Sequence, residues 1–261
     1  MRLIIILLLL LSFGCAKKEN NNNYLKQKEI SLVSPRVKAS STIIDSTVTV
    51  SAELRLEDAK LYYTKNNTEP TEQANEYTTP LTVEKAGVYK FKAFHNDWKP
   101  SKSTTIKLYK KGIALDNMSW HTNAHNSYPG LGKITLINGK KASRQFRDLQ
   151  WVGFDSIAKA TLTLKKKTFI KTLTIGYLID TKSWIFPPEK ITLLVNKKDT
   201  ITTAVNKPLG MDFVSLEDVT ISINKEVNSI TVAVNNTQQL PEWHPGKGLK
   251  AWLFMDEWIF N

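Results

Sequence analysis

Val48-Thr49-Val50-Ser51-Ala52-Glu53-Leu54 puts an apolar residue at every second position. A strand turns successive side chains to opposite faces, so this spacing builds one dry face and one wet face. The same alternation runs through Val88–Phe94 and Thr104–Leu108. It returns in Ala160–Leu164, Ile170–Ile175, Ile191–Val195, Val219–Ile223 and Ile230–Val234. No stretch holds a 3.6-residue period for three turns. Many short β-branched runs, parted by Asn, Lys and Gly and with no helix between them, predict an all-β chain folded as sandwiches or barrels. The texture changes at Lys110-Lys111-Gly112, which divides the folded part into residues 29–111 and 112–261.

The first fifteen residues read as an address. Arg2 precedes the unbroken apolar run Leu3–Leu11. That run is too short for a bilayer-spanning helix of ~20 residues and fits a signal-peptide core. Ser12-Phe13-Gly14-Cys15 resembles a lipobox, the cleavage site that ends in the cysteine to be acylated. Cys15 is the only cysteine, so no internal disulfide and no sulfur-ligated metal cluster is available. The expectation is an exported lipoprotein held at the outer membrane or cell surface by acyl chains on Cys15, each buried CH₂ contributing ~0.8 kcal/mol. Residues 16–28, with the run Asn20–Asn23, bury nothing and read as a flexible stalk.

The formal charge is +12. Most of the basic residues are lysines scattered through strands, as in Lys165-Lys166-Lys167 and Lys197-Lys198, rather than arginine-rich and gathered on one segment. They read as solvated sheet faces, with an acidic glycan or anionic surface as the functional alternative. Nucleic acid is not expected as a partner.

Within residues 29–111, Leu61-Tyr62-Tyr63-Thr64-Lys65-Asn66-Asn67-Thr68-Glu69-Pro70-Thr71 leads on to Tyr77, Pro80-Leu81 and Val88–Phe94. This resembles the chitobiase/β-hexosaminidase C-terminal domain, a small immunoglobulin-like sandwich that serves as a spacer. Asn66-Asn67 stands where that family has Asp-Gly, and asparagine also tolerates the positive φ of a tight hairpin. Tyr62 and Tyr63 face opposite ways, so one of them belongs in the core.

Four landmarks follow in order: Leu136-Ile137-Asn138-Gly139, Gln150–Phe154, Ser183-Trp184-Ile185-Phe186-Pro187-Pro188, and Pro241–Gly248 running into Trp252–Glu257. Together they resemble the discoidin-like (coagulation-factor type C, galactose-binding-like) domain appended to glycoside hydrolase family 20 enzymes. The resemblance implies an eight-stranded jelly-roll sandwich over residues 112–261. It also implies a calcium site, with Asn138 and Glu257 as side-chain ligands. Asn138 replaces the family's aspartate, which removes a charge from an ion that wants ~6–8 oxygens.

A pyranose offers an apolar C–H face and a rim of hydroxyls, so its binding asks for flat aromatic faces and a few planar polar groups. Trp184, beside prolines, and Trp243, beside His244-Pro245-Gly246, stand on loop-like sequence and are the leading candidates. His244 is assigned a sugar hydrogen bond, and Trp120 is a further candidate. Trp252 and Trp258 read as core, and Trp151 as packing over a turn. His121 and His125 lack a third ligand and do not make a metal site.

No Gly-x-Ser-x-Gly, His-Glu-x-x-His or phosphate loop is present. The sequence therefore predicts a non-catalytic lipoprotein that binds a terminal amino sugar or a galactose-type glycan and supports glycan capture or degradation. The competing class is a docking or adhesion subunit for a separate glycoside hydrolase, or a detached accessory tail of a β-hexosaminidase.

Overall fold

The computed structural model describes residues 29–208 and 210–261. The leader with Cys15 and the stalk of residues 16–28 lie outside the described residues.

The chain is all-β. In its first part, β1 (Arg36–Ala39), β3 (Val48–Glu53) and β6 (Leu81–Val83) form a three-stranded antiparallel sheet. A five-stranded sheet packs against it, in the order β2 (Ile43–Ile44), β8 (Thr104–Lys110), β7 (Gly87–Phe94), β4 (Lys60–Thr64), β5 (Asn75–Tyr77). Strand β3 follows its alternation: Val48, Val50 and Ala52 are buried, while Thr49, Ser51 and Glu53 are exposed. Between the sheets, Val50 and Leu108 pack with Tyr63, whose ring stacks on Phe91 at 5.6 Å. Tyr62 faces the other way and is also covered, edge-on to Phe94 at 5.5 Å. In the β4 hairpin Asn67 takes the left-handed φ of 64° that the turn demands.

The second part comprises β9 (Asn117–Trp120), β10 (Val152–Phe154), β11 (Ala158–Asp180), β12 (Lys190–Val195), β13 (Asp199–Ala204), β14 (Val214–Asn235) and β15 (Leu253–Phe260). These are seven strands where the resemblance implies eight, and two pairs of expected runs each form one continuous strand. Ala160–Leu164 and Ile170–Ile175 lie on the single strand β11, and Val219–Ile223 and Ile230–Val234 on β14.

The β11–β14 ladder slips between Thr163 and Thr168, and again between Ile170 and Thr172. Such bulges bend a strand. The half of the hairpin holding Ala160 and Val232 is flanked by β9 and β12. The half holding Leu173 and Ile175 is flanked by β15. One hairpin thus serves both layers of a sandwich, around a core that includes Leu162, Leu173, Ile191, Val232 and Met255.

The two parts meet without a slack linker. Lys111 N–H donates to Ile44 O, and Ile113 N–H donates to Phe260 O at 2.8 Å. Gly112 lies against the Phe260 backbone, where a Cβ would come within 3.0 Å.

Candidate functional site: the aromatic end of the second domain

Two loops build this end. After β11, Asp180 turns the chain by accepting hydrogen bonds from the Ser183 N–H and hydroxyl. The short 3-10 turn Thr181–Ser183 closes on Trp184, which sits in the left-handed region at φ 62°. Ile185 and Phe186 then plunge into the interior. The second loop, residues 236–251, is pinned by Asn236, whose side chain donates to Asp155 O and Ala251 O. Thr237 Oγ1 ties it to Pro187 O at 3.1 Å.

Where the loops cross, Trp243 stacks on Phe186 at 5.9 Å, and Trp184 meets His244 edge-on at 5.3 Å. Gly246 is required there, since a Cβ would fall 2.4–2.8 Å from the Trp184 ring. Both tryptophans are half-buried, against Phe186, Leu240 and Ala251.

His244 has a different role from the one expected. It is 2% exposed, its Nδ1 accepts the Gly246 N–H, and its Nε2 lies 2.9 Å from Thr181 O. With Nδ1 accepting, Nε2 must carry the proton and donate. Neither nitrogen is left for a sugar, so His244 fastens one loop to the other. Trp120 also stands apart from this cluster. It lies on β9, tilted against Phe154 at 5.7 Å, with its N–H directed to Met118 Sδ.

The structure adds aromatic groups that the sequence did not single out. Trp252 comes just before β15 and is half-buried rather than core. His125 and Tyr128 meet it edge-on at 4.9 and 5.1 Å. Phe146 extends the group, with the Arg147 guanidinium 5.4 Å from its ring centroid. The two aromatic groups are joined by backbone: Trp252 N–H donates to Trp184 O, and Phe186 N–H to Trp252 O. Three inter-strand segments, β9–β10, β11–β12 and β14–β15, therefore bring half-buried Trp184, Trp243, Trp252 and Tyr128 to one end, with a guanidinium and an imidazole beside them. Flat apolar faces with a few planar polar groups suit a ligand that is apolar on one side and hydroxylated at its edge.

The residues expected to hold calcium are already engaged. Asn138 Oδ1 accepts the Lys140 N–H, and its Nδ2 donates to Gln150. Glu257 Oε2 accepts the Gly139 N–H at 2.9 Å. The neighbouring Asp256 is 1% exposed and is taken by Lys141 Nζ and the Ala142 N–H. Trp258 Nε1, the buried side-chain polar atom without a partner among the described residues, is an N–H donor that no cation can use. No three acidic, His or Cys side chains gather as a metal set among the described residues. Against a shell of ~6–8 oxygens, the Asn138 and Glu257 side chains supply too few by themselves, and backbone carbonyls would have to complete a calcium site.

Among solved structures, the chain is similar to CpGH89CBM32-4 produced by Clostridium perfringens, in complex with GlcNAc-α-1,4-galactose. The identity is 14% and the TM-score 0.35, over 56% of this chain and 89% of that one. It is also similar to a mutant of the lectin binding domain of lectinolysin complexed with Lewis b, at 10% identity and TM-score 0.37, over 56% and 90%. A SusE-like protein aligns at 9% identity and TM-score 0.33, over 86% of this chain and 95% of that one. No curated protein sequence matches the chain. Residues 39–107 match the family described as the chitobiase/β-hexosaminidase C-terminal domain.

Proposed function

We propose that this chain is a non-catalytic carbohydrate-binding lipoprotein, tethered through Cys15, which presents the aromatic end of its second domain to a terminal amino sugar or galactose-type residue. The observation that carries the reading is the half-buried group Trp184, Trp243, Trp252 and Tyr128, with His125 and Arg147 as polar partners. The match of residues 39–107 to a domain named for chitobiase and β-hexosaminidase supports a setting of glycan capture or degradation.

Calorimetry or affinity electrophoresis against N-acetylglucosamine- and galactose-containing oligosaccharides tests it. Trp252→Ala and Trp243→Ala should weaken binding by about 1 kcal/mol or more, close to tenfold, from a starting point near millimolar. Trp184→Ala should also lower the melting temperature, because its ring closes over Gly246. Tryptophan variants that fold normally and bind as wild type remove the aromatic end from the reading. The tether is tested by Cys15→Ala, which should move the protein from the membrane to the soluble fraction.

A further inference from the structure

A cleft of about 330 Å³ opens between the two domains, lined by residues other than those of the aromatic end, although Trp151 and Ala142 in its wall pack in the same cluster as Trp252 and Tyr128. Val88, Ile106, Tyr109, Trp151, Tyr177 and Leu216 give it a mainly apolar lining drawn from both domains. Its size lies at the small end of ligand pockets, ~300–1,000 Å³, which suits one or two rings and not a long chain.

The charges around it divide into two kinds. Lys107 is bound to both oxygens of Asp218 at 2.8 Å, and Lys141 is bound to buried Asp256. These cations are already neutralised. Arg144 and Glu217 are not. Among the described residues Arg144 has no ion pair or hydrogen bond, and Glu217 has only the Ser215 hydroxyl.

The backbone on either side of Arg144 is nevertheless fixed. Ala142 N–H donates to Asp256 Oδ2, Ser143 N–H donates to Asp148 Oδ2, and Ser143 O accepts from Trp151 Nε1. Exposed Arg144, on a pinned turn, and exposed Glu217 line the same cleft as the apolar residues, each able to point a polar head group at a ligand lying on that lining.

We infer that this cleft is a second binding site, made by both domains together, for a neutral sugar residue. A pyranose can lay its C–H face on the apolar lining while its hydroxyls accept from Arg144 and donate to Glu217. An anionic ligand would meet Glu217 and a cationic one Arg144, so the pair of opposite charges selects a neutral hydroxylated ligand. The first domain is then a wall of a site and not only a spacer. The inference shares the carbohydrate reading above but none of its residues.

The test is calorimetry on the full chain with methyl β-glycosides of galactose, glucose, N-acetylglucosamine and glucuronic acid. Single variants are Arg144→Ala, Leu216→Trp to plug the cleft from its exposed rim, and Trp252→Ala at the other site. At least one neutral glycoside should bind to Trp252→Ala protein. Adding Arg144→Ala or Leu216→Trp to that background should weaken it about tenfold, with melting temperature unchanged. The glucuronide should bind more weakly than the neutral sugars. The inference is overturned if no neutral glycoside binds Trp252→Ala protein, or if the cleft variants bind as tightly as their parent. In the former outcome, binding by wild type that is lost with Trp252 alone leaves the aromatic-end reading standing.

Discussion

Glu257 shows how one buried carboxylate couples the fold to pH. Burial pushes its pKa up from 4.5 to about 7; the Gly139 N–H opposes this and Asp256 adds to it. In the unfolded chain the same group releases its proton near the ordinary value. Between about pH 4.5 and 7 the folded state therefore holds a proton that the unfolded state has lost, and stability falls as pH rises through this window. Above it the full cost applies, on the order of 3 kcal/mol. Glu257→Gln keeps a carbonyl oxygen to accept the Gly139 N–H and has no charge to bury. It should flatten the fall, melting higher than wild type at pH 8 and nearly level with it at pH 4.5. Melting curves across that range check this, and parallel curves would refute it. Chelator added to the wild type at pH 8 should leave the melting temperature in place. A drop restored by calcium would return Asn138 and Glu257 to the role first expected of them.

At the scale of elements, the alternation in Val48–Leu54 and Val88–Phe94 was enough to place strands and their buried faces, because period two is written directly into residue type. It was not enough to show where a strand continues through a polar bend. Lys165-Lys166-Lys167 reads as a solvated sheet face and is exposed on β11, but its polarity hid that Ala160–Leu164 and Ile170–Ile175 are one strand, continued through the ladder slip between Thr163 and Thr168. The aromatic end was half legible for a related reason. Trp184 and Trp243 were conspicuous beside proline and glycine. Trp252 was hidden in the apolar run of the last strand, and Tyr128 has no periodic neighbours to announce it. His244 looked free because its partner, Thr181 O, is distant in sequence.

The second slip in the hairpin rests on Asn224, exposed and in the left-handed region at φ 47°, where Ser222 pairs with Thr172 and Lys225 with Ile170. A β-branched side chain cannot take that φ cheaply. Asn224→Val should cost about 1–2 kcal/mol of stability in denaturant unfolding, while Asn224→Gly should stay within a few tenths. Equal effects of the two would show that the bulge does not depend on backbone conformation at this residue.

Across the whole molecule, one carboxylate bridges the two domains through side-chain hydrogen bonds. Asp218, on β14, accepts two bonds from Lys107 and one from the Tyr109 hydroxyl at 2.7 Å, both donors lying on β8 of the first domain. Its side chain is 8% exposed, so water screens these bonds little. Burial first, and then Asp218, pushes the Tyr109 phenol far above its ordinary range, so it stays a donor at any physiological pH. Lys141 Nζ lies 5.3 Å from the same ring, adding a cationic contact from the second domain. Removing the carboxylate leaves a largely buried phenol and an ammonium without an acceptor, at a cost of about 1–3 kcal/mol. The short linker at Gly112 still joins the domains, but the clamp that orients them is gone. Asp218→Ala should therefore leave each sandwich folded and uncouple them. Calorimetric unfolding should broaden or split into two transitions, and small-angle scattering should show a larger radius of gyration. Asp218→Asn, which still offers an oxygen to Tyr109, should fall between. An Asp218→Ala protein with a single unchanged transition and unchanged scattering would mean that Gly112 and its backbone bonds fix the domain angle without Asp218.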